Sequence, residues 1–274
     1  MTPSARRWGD LPTRLASAAI LAPLALYCLW VGGWPWALLL GAAAFGLATE
    51  WIALNGHKLV SPAGLCLVVC ALAVWVMAVR GSVIAGTAFA LLAGPVVWQA
   101  GRKKPRAVSL ALGLPYIGFG TVALVWLRAM PVSGLANVLV LLGVVWASDV
   151  GAYVVGRTIG GAKLAPAISP GKTRSGAIGG LAASCLVGVG AAYWLGLSAA
   201  SIGWLLPLVL VLSAISQAGD LAESAIKRHF GVKDSGWLIP GHGGLFDRLD
   251  GLLAAAPAAA ALAFAIGRGV VVTP

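Results

Sequence analysis

The 274-residue chain is 60% hydrophobic and only 10% charged, against roughly one-quarter charged residues in a soluble domain, and its mean hydropathy is +0.94. A water-soluble globule is excluded, and so is disorder, because a chain this apolar readily buries enough surface to order itself. Lysine and arginine number 19 against 8 aspartate and glutamate, a formal net charge of +11, so the place of each acid is informative.

Crossing the hydrocarbon takes about 20 apolar residues of helix, or about 17 at the short end. That ruler predicts nine spans, at 14–31, 36–54, 64–79, 83–98, 109–127, 135–155, 176–196, 203–224 and 249–267. The third and fourth are short enough to form a hairpin lying partly in the interface. Trp30, Trp34, Trp36, Trp98, Trp126 and Trp204 fall near span ends, where the amphipathic ring anchors a helix. Cys28, Cys66, Cys70 and Cys185 sit in apolar runs and read as small buried hydrophobes. The first run ends in Trp-rich sequence with no small-residue cleavage site, so it reads as a span and not as a signal peptide. The expected fold is all-α, a polytopic integral membrane protein with cytoplasmic polar loops. Residues 1–134 supply N-terminal membrane helices and residues 135–274 the C-terminal helices with the chemically interesting loops, in one integral membrane unit.

Cytoplasmic loops collect lysine and arginine. With the N-terminus inside, the nine-span order sorts Arg6, Arg7 and Arg14, Lys58, Arg102 to Arg106, Arg157 to Arg174 and Lys227 to Arg248 to the cytoplasm, leaving only Arg80, Arg128 and Arg268 outside. Topology and anionic headgroups account for that excess, and nucleic acid is not an expected partner. Segments 156–175 and 226–248 both face the cytoplasm.

Five acids, Asp220, Glu223, Asp234, Asp247 and Asp250, crowd into residues 220–250, leaving Asp10, Glu50 and Asp149 for the rest. A charge at a span centre costs about 2.5–3.5 kcal/mol on insertion scales, so carboxylates concentrated in one stretch of a membrane protein point to use. Asp149 and Tyr153, four apart, share a helix face. Gly171-Lys172-Thr173 lacks the upstream glycine of a P-loop, since Pro166 occupies that position. What remains is a loop of Ser169, Lys172 and Thr173 leading into a helix near Gly176, suited to holding phosphate or serving as a plain helix entry. If the eighth helix continues past Asp220, then Asp220, Glu223 and Lys227 line one face, as Asp247 and Asp250 do at the start of the ninth. Carboxylates on two helix ends can hold a hard cation, magnesium fitting best, or form salt bridges with Lys227, Arg228 and Arg248. His242, set among Gly241, Gly243 and Gly244, reads as a base, a phosphate donor or a hydrogen-bonded turn residue.

Ser224-Ala-Ile-Lys227-Arg228, Lys233-Asp234, Pro240-Gly-His242-Gly-Gly and Asp247-Arg248-Leu-Asp250 together closely resemble the signature of the phosphatidate cytidylyltransferases, or CDP-diacylglycerol synthases. The segment from Asp149 to Thr173 is similar to that family's other polar loop, except that Gly171 stands where the family usually has lysine. The resemblance implies conversion of CTP and phosphatidate to CDP-diacylglycerol and pyrophosphate at a bacterial inner membrane. It makes Asp220 and Asp247 the magnesium ligands, with Asp250 and Glu223 in support and a second, monovalent cation such as potassium. Taken together with the chemistry of the residues themselves, it makes Asp220, Asp247, Asp250, Lys227 and His242 the candidate catalytic residues, and Asp149, Ser169, Lys172, Thr173, Arg228, Lys233, Asp234 and Arg248 the candidate substrate contacts. Expected partners are CTP, phosphatidate and membrane lipids, with a homodimer as a further expectation. The alternatives are a CTP-dependent polyprenol kinase and an ion-coupled transporter. The long match from Ser224 to Asp250 argues against the first, and the absence of a visible internal repeat against the second.

Overall fold

The computed structural model describes residues 11–267 and Gly269. Arg6, Arg7 and Arg268, used in the topology argument, and Asp10, counted among the acids, lie outside the described residues, as does the side chain of Arg14. The helices are α1 (Leu11–Val31), α2 (Gly33–Leu54), α3 (Pro62–Val79), α4 (Val83–Leu92), α5 (Gly94–Gly101), α6 (Ala107–Ala129), α7 (Gly134–Thr158), α8 (Arg174–Trp194), α9 (Ala199–His229) and α10 (Phe246–Ile266). Between α7 and α8 lies an antiparallel hairpin, β1 (Lys163–Ala165) and β2 (Ser169–Thr173), with Lys163 opposite Thr173. Eight helical stretches among the described residues are long and apolar enough to cross a membrane, α4 and α5 counting together as Val83–Gly101, and Leu15–Val31 adds a shorter apolar helix. The protein is a polytopic α-helical membrane protein.

Helix ends follow local chemistry. Gly32, at a positive φ of 70°, turns the chain between α1 and α2. Ser61 caps α3 by accepting from the Gly64 N–H at 3.1 Å, with Pro62 in the first turn where its missing donor costs nothing. Thr173 caps α8 in the same way, accepting from Gly176 N–H at 3.0 Å. The break between α4 and α5 falls just before Gly94-Pro95, since proline disfavours helix in the residue before it. At 31 residues, α9 measures about 46 Å at 1.5 Å per residue. That exceeds the roughly 30 Å hydrocarbon, so its polar last turns extend beyond it.

The chain forms two compact units, Met1–Gly118 with Val232–Arg248 and Phe119–Gly231 with Leu249–Pro274. In the first, Trp75 Nε1 donates to the Ala37 carbonyl at 2.7 Å, tying α3 to α2. Trp51, Tyr116 and Phe246 form an aromatic cluster with centroids 5.2–6.1 Å apart. His57, after α2, is buried. Burial, and then the nearby Lys104, lower its pKa, while a hydrogen bond with the Pro105 backbone partly opposes them.

In the second unit α7, α8 and α9 pack through small residues. A Cβ on Gly176 would stand 2.7 Å from the Ala152 carbonyl, and one on Gly156 3.4 Å from Gly176 Cα. In a membrane such residues let helices approach until backbone and hydroxyl groups interact. Here Ser184 Oγ lies 2.9 Å from both the Val144 carbonyl and Ser213 Oγ, and Ser213 donates to Ser148 Oγ at 3.0 Å. Gln217 Nε2 reaches Ser148 Oγ and the Ala177 carbonyl, each at 3.1 Å. This network sets the register of the three helices one residue from Asp149 and three from Asp220.

Candidate active site

Good helix formers after Gly219 carry α9 past Asp220, and Lys227, Arg228 and His229 in its last turn complement the helix dipole. Asp220, Glu223 and Lys227 therefore share a face, as their spacing predicts. Asp250, in the first turns of α10, meets them because two glycines clear the crossing. A Cβ on Gly219 would stand 3.0 Å from the Asp250 carbonyl, and one on Gly251 3.4 Å from the Ser216 carbonyl. One carboxylate oxygen from each of Asp220, Glu223 and Asp250 lies within 4.8 Å of the others. Glu223 is 1% exposed, and Lys227 Nζ stands 2.8 Å from its Oε2. Asp250 Oδ1 accepts from the Gly251 N–H at 2.7 Å. Three hard oxygen donors this close fit a divalent cation of the magnesium type.

Beside Asp220 opens a cavity of about 570 Å³, walled by α7, the hairpin, the start of α8 and α9. Asp149, Lys172 and Thr173 line it with Asp220, and so do Tyr153, Arg157 and Gln217. Lys172 Nζ lies 2.5 Å from Asp220 Oδ2, so the hairpin delivers a cation directly to the acid group. Ser169 begins β2, and Arg228 Nε donates to the Ile168 carbonyl at 3.4 Å, which binds the last turn of α9 to the hairpin. The sequence pointed to a loop here; pairing of Lys163–Ala165 with Ser169–Thr173 makes it a short sheet.

The remaining signature residues belong to the first unit. Gly241 and Gly243 take positive φ values of 75° and 83°, and the Ile239 N–H donates to the Gly243 carbonyl at 3.0 Å, closing a tight turn. His242 sits in that turn with Nδ1 2.8 Å from Ser17 Oγ. Its carbonyl accepts from Arg248 Nη2 at 2.7 Å and Nε at 3.1 Å. Asp247 Oδ2 accepts from the Ser235 and Gly244 N–H groups at 3.0 and 2.9 Å. Lys233 and Asp234 are exposed on the segment before the turn.

One residue that motif reading did not single out holds this loop. Glu50, 4% exposed in α2, accepts from Leu245 N–H at 2.8 Å, Phe246 N–H at 2.9 Å and Ser235 Oγ at 3.2 Å. It caps α10 from a helix 195 residues earlier. A Cβ on Gly236 or Gly244 would stand 2.8 Å from its carboxylate, so both glycines make room for it. The one available signal was its place as a lone acid in an apolar run. Arg157 and Gln217 had no motif signal either, while Tyr153 had only its shared face with Asp149.

Residues 12–266 match the model of the Cytidylyltransferase family. The chain belongs to that family. It is 41% identical over 267 residues to a protein of Brucella suis named phosphatidate cytidylyltransferase, covering 90% of this chain and 91% of that relative. A protein of the same name from Staphylococcus haemolyticus is 35% identical over 255 residues, covering 90% and 96%. One from Staphylococcus aureus is 37% identical over 183 residues, covering 67% and 69%. This cytidylyltransferase-family chain is thus a membrane-embedded nucleotidyltransferase, and its acid group and lysine-bearing hairpin sit in a setting suited to phosphate chemistry.

Proposed function

We propose that the chain makes CDP-diacylglycerol and pyrophosphate from CTP and phosphatidate. The observation that carries this reading is the Asp220–Glu223–Asp250 group, with Lys172 paired to Asp220 and both residues of that pair lining the cavity. Asp220, Glu223 and Asp250 are the proposed magnesium ligands; bound there, the ion offsets the repulsion between two anionic substrates and charge on the departing pyrophosphate. Lys172, held by Asp220, presents an ammonium to phosphate oxygens. Lys227 keeps the buried Glu223 carboxylate compensated. The lipid phosphate oxygen forms a bond to the α-phosphorus of CTP as the bond to the β-phosphate oxygen breaks, so no side-chain nucleophile is required. For Asp247 we propose the role its hydrogen bonds support, holding the turn that presents His242 and Arg248.

The sorting of basic residues supports a cytoplasmic N-terminus and cytoplasmic active-site loops in the bacterial inner membrane, where CTP is available and phosphatidate arrives laterally. Purified protein in detergent, given CTP, phosphatidate and magnesium, should release pyrophosphate and CDP-diacylglycerol in equal amounts, and chelation of magnesium should stop both. Absence of product from wild type overturns the reading. Replacing potassium by choline in the same assay tests the second cation.

A further inference from the structure

Arg157 closes α7 at the rim of the cavity, and no carboxylate pairs with it among the described residues. Its Nη1 donates to Tyr153 Oη at 2.6 Å, and its guanidinium lies 5.8 Å from the centroid of that ring. One of five N–H donors is thereby used to orient the plane. Those remaining can grip a phosphate through two oxygens, and the Tyr153 hydroxyl, accepting from Arg157, still has its own proton to donate.

The placement decides which phosphate. At 25 residues, α7 is about 37 Å long, more than a hydrocarbon of roughly 30 Å requires, and the charge of Arg157 in its last turn favours that end at headgroup depth. Around the pair, Val150, Tyr153 and Val154 are 62%, 63% and 49% exposed, the surface of a helix that meets lipid tails. The same two polar side chains line the cavity that holds Lys172 and Asp220. A pair serving only as an interfacial anchor would not need to face that cavity. A cation that lines this cavity from the exposed last turns of α7 is placed for an anion carried by a lipid.

We propose that Arg157, oriented by Tyr153, binds the phosphomonoester of the lipid substrate and selects it over phosphodiester lipids. This rests on the proposed function and names one substrate's contact within it. A phosphomonoester offers three terminal oxygens and up to two negative charges, enough for both the guanidinium fork and the phenol. A phosphodiester offers two such oxygens and one charge.

The test varies each substrate separately in mixed micelles. Arg157→Ala should raise the KM for phosphatidate, as mole fraction, at least 10-fold, with the KM for CTP within 2-fold and kcat within 3-fold. Arg157→Lys should recover part of the loss, and Tyr153→Phe should raise the phosphatidate KM by a smaller factor. A rise in the CTP KM instead, an equal fall in kcat with both KM values unchanged, or no change overturns the proposal. Arg157→Lys keeps the charge and the fold, so it decides the matter if Arg157→Ala is not recovered. Retention of radiolabelled short-chain phosphatidate by purified wild type and Arg157→Lys, challenged with inorganic phosphate, CTP or phosphatidylglycerol, needs no turnover. If wild type yields no CDP-diacylglycerol, the functional reading fails by itself. Retention that is unaffected by the substitution, or displaced by phosphatidylglycerol as readily as by unlabelled phosphatidate, sinks the Arg157 assignment.

Discussion

Glu50 and the Asp220–Glu223–Asp250 group are both carboxylates at the ends of apolar helices, but their surroundings differ. Glu50 is met by two backbone N–H groups and a serine hydroxyl, and Asp247, in the same unit, by two more N–H groups. Asp220, Glu223 and Asp250 instead face one another, with lysines on two of them. A carboxylate saturated by amides fixes a backbone. Carboxylates drawn together against their own repulsion are arranged for a cation, because only an added positive charge turns that proximity into stability.

The sharpest way to break this contrast is Asp220→Asn or Asp250→Asn. Either should lower CDP-diacylglycerol formation by about 10³-fold, on the scale of losing one electrostatic contact to a transition state, while the unfolding temperature in chelator stays near that of wild type. Glu50→Ala should do the reverse. Leaving the buried N–H group of Phe246 unpaired costs about 1–3 kcal/mol and the half-buried one of Leu245 adds to it, so thermal unfolding should move down markedly and limited proteolysis should open residues 232–245. The magnesium midpoint of whatever activity survives should not move.

Asp247→Asn separates the two classes directly. An unchanged magnesium midpoint assigns Asp247 to the loop, whereas a midpoint raised 10-fold or more assigns it to the metal. Gly251→Ala tests the crossing of α9 and α10: its methyl would collide with Ser216 Oγ, wedge the acid-bearing helices apart and raise the magnesium midpoint several-fold. The smallest effect concerns His57. Its pKa lies below the usual 6.5, so the folded protein binds fewer protons there than the unfolded chain. The stability this contributes is present above pH 6.5 and lost as pH falls through the lowered value. His57→Gln should flatten the decline in unfolding temperature between pH 7.5 and pH 5, and an unchanged slope would refute that role.

Much of the fold was legible because lipid leaves few choices: a polar backbone in hydrocarbon must satisfy itself within a helix, so length and hydropathy alone mark the spans. The face shared by Asp220, Glu223 and Lys227 was legible for the same reason, since 3.6 residues per turn is a local rule. The hairpin at Ser169–Thr173 was not, because five residues containing proline and glycine have little strand preference until Lys163–Ala165 pairs with them.

By itself, then, the sequence determined a basic, many-spanned membrane chain, the concentration of its acids, and the signature that marks its family. Only the tertiary structure decided that Asp250 joins Asp220 and Glu223, that Glu50 caps a helix nearly two hundred residues away, and that Arg157 and Tyr153 face the cavity beside Lys172. Periodicity reports which residues share a helix face. Which faces meet is set by where glycine and serine let two helices approach, and that depends on pairs of positions far apart in the chain.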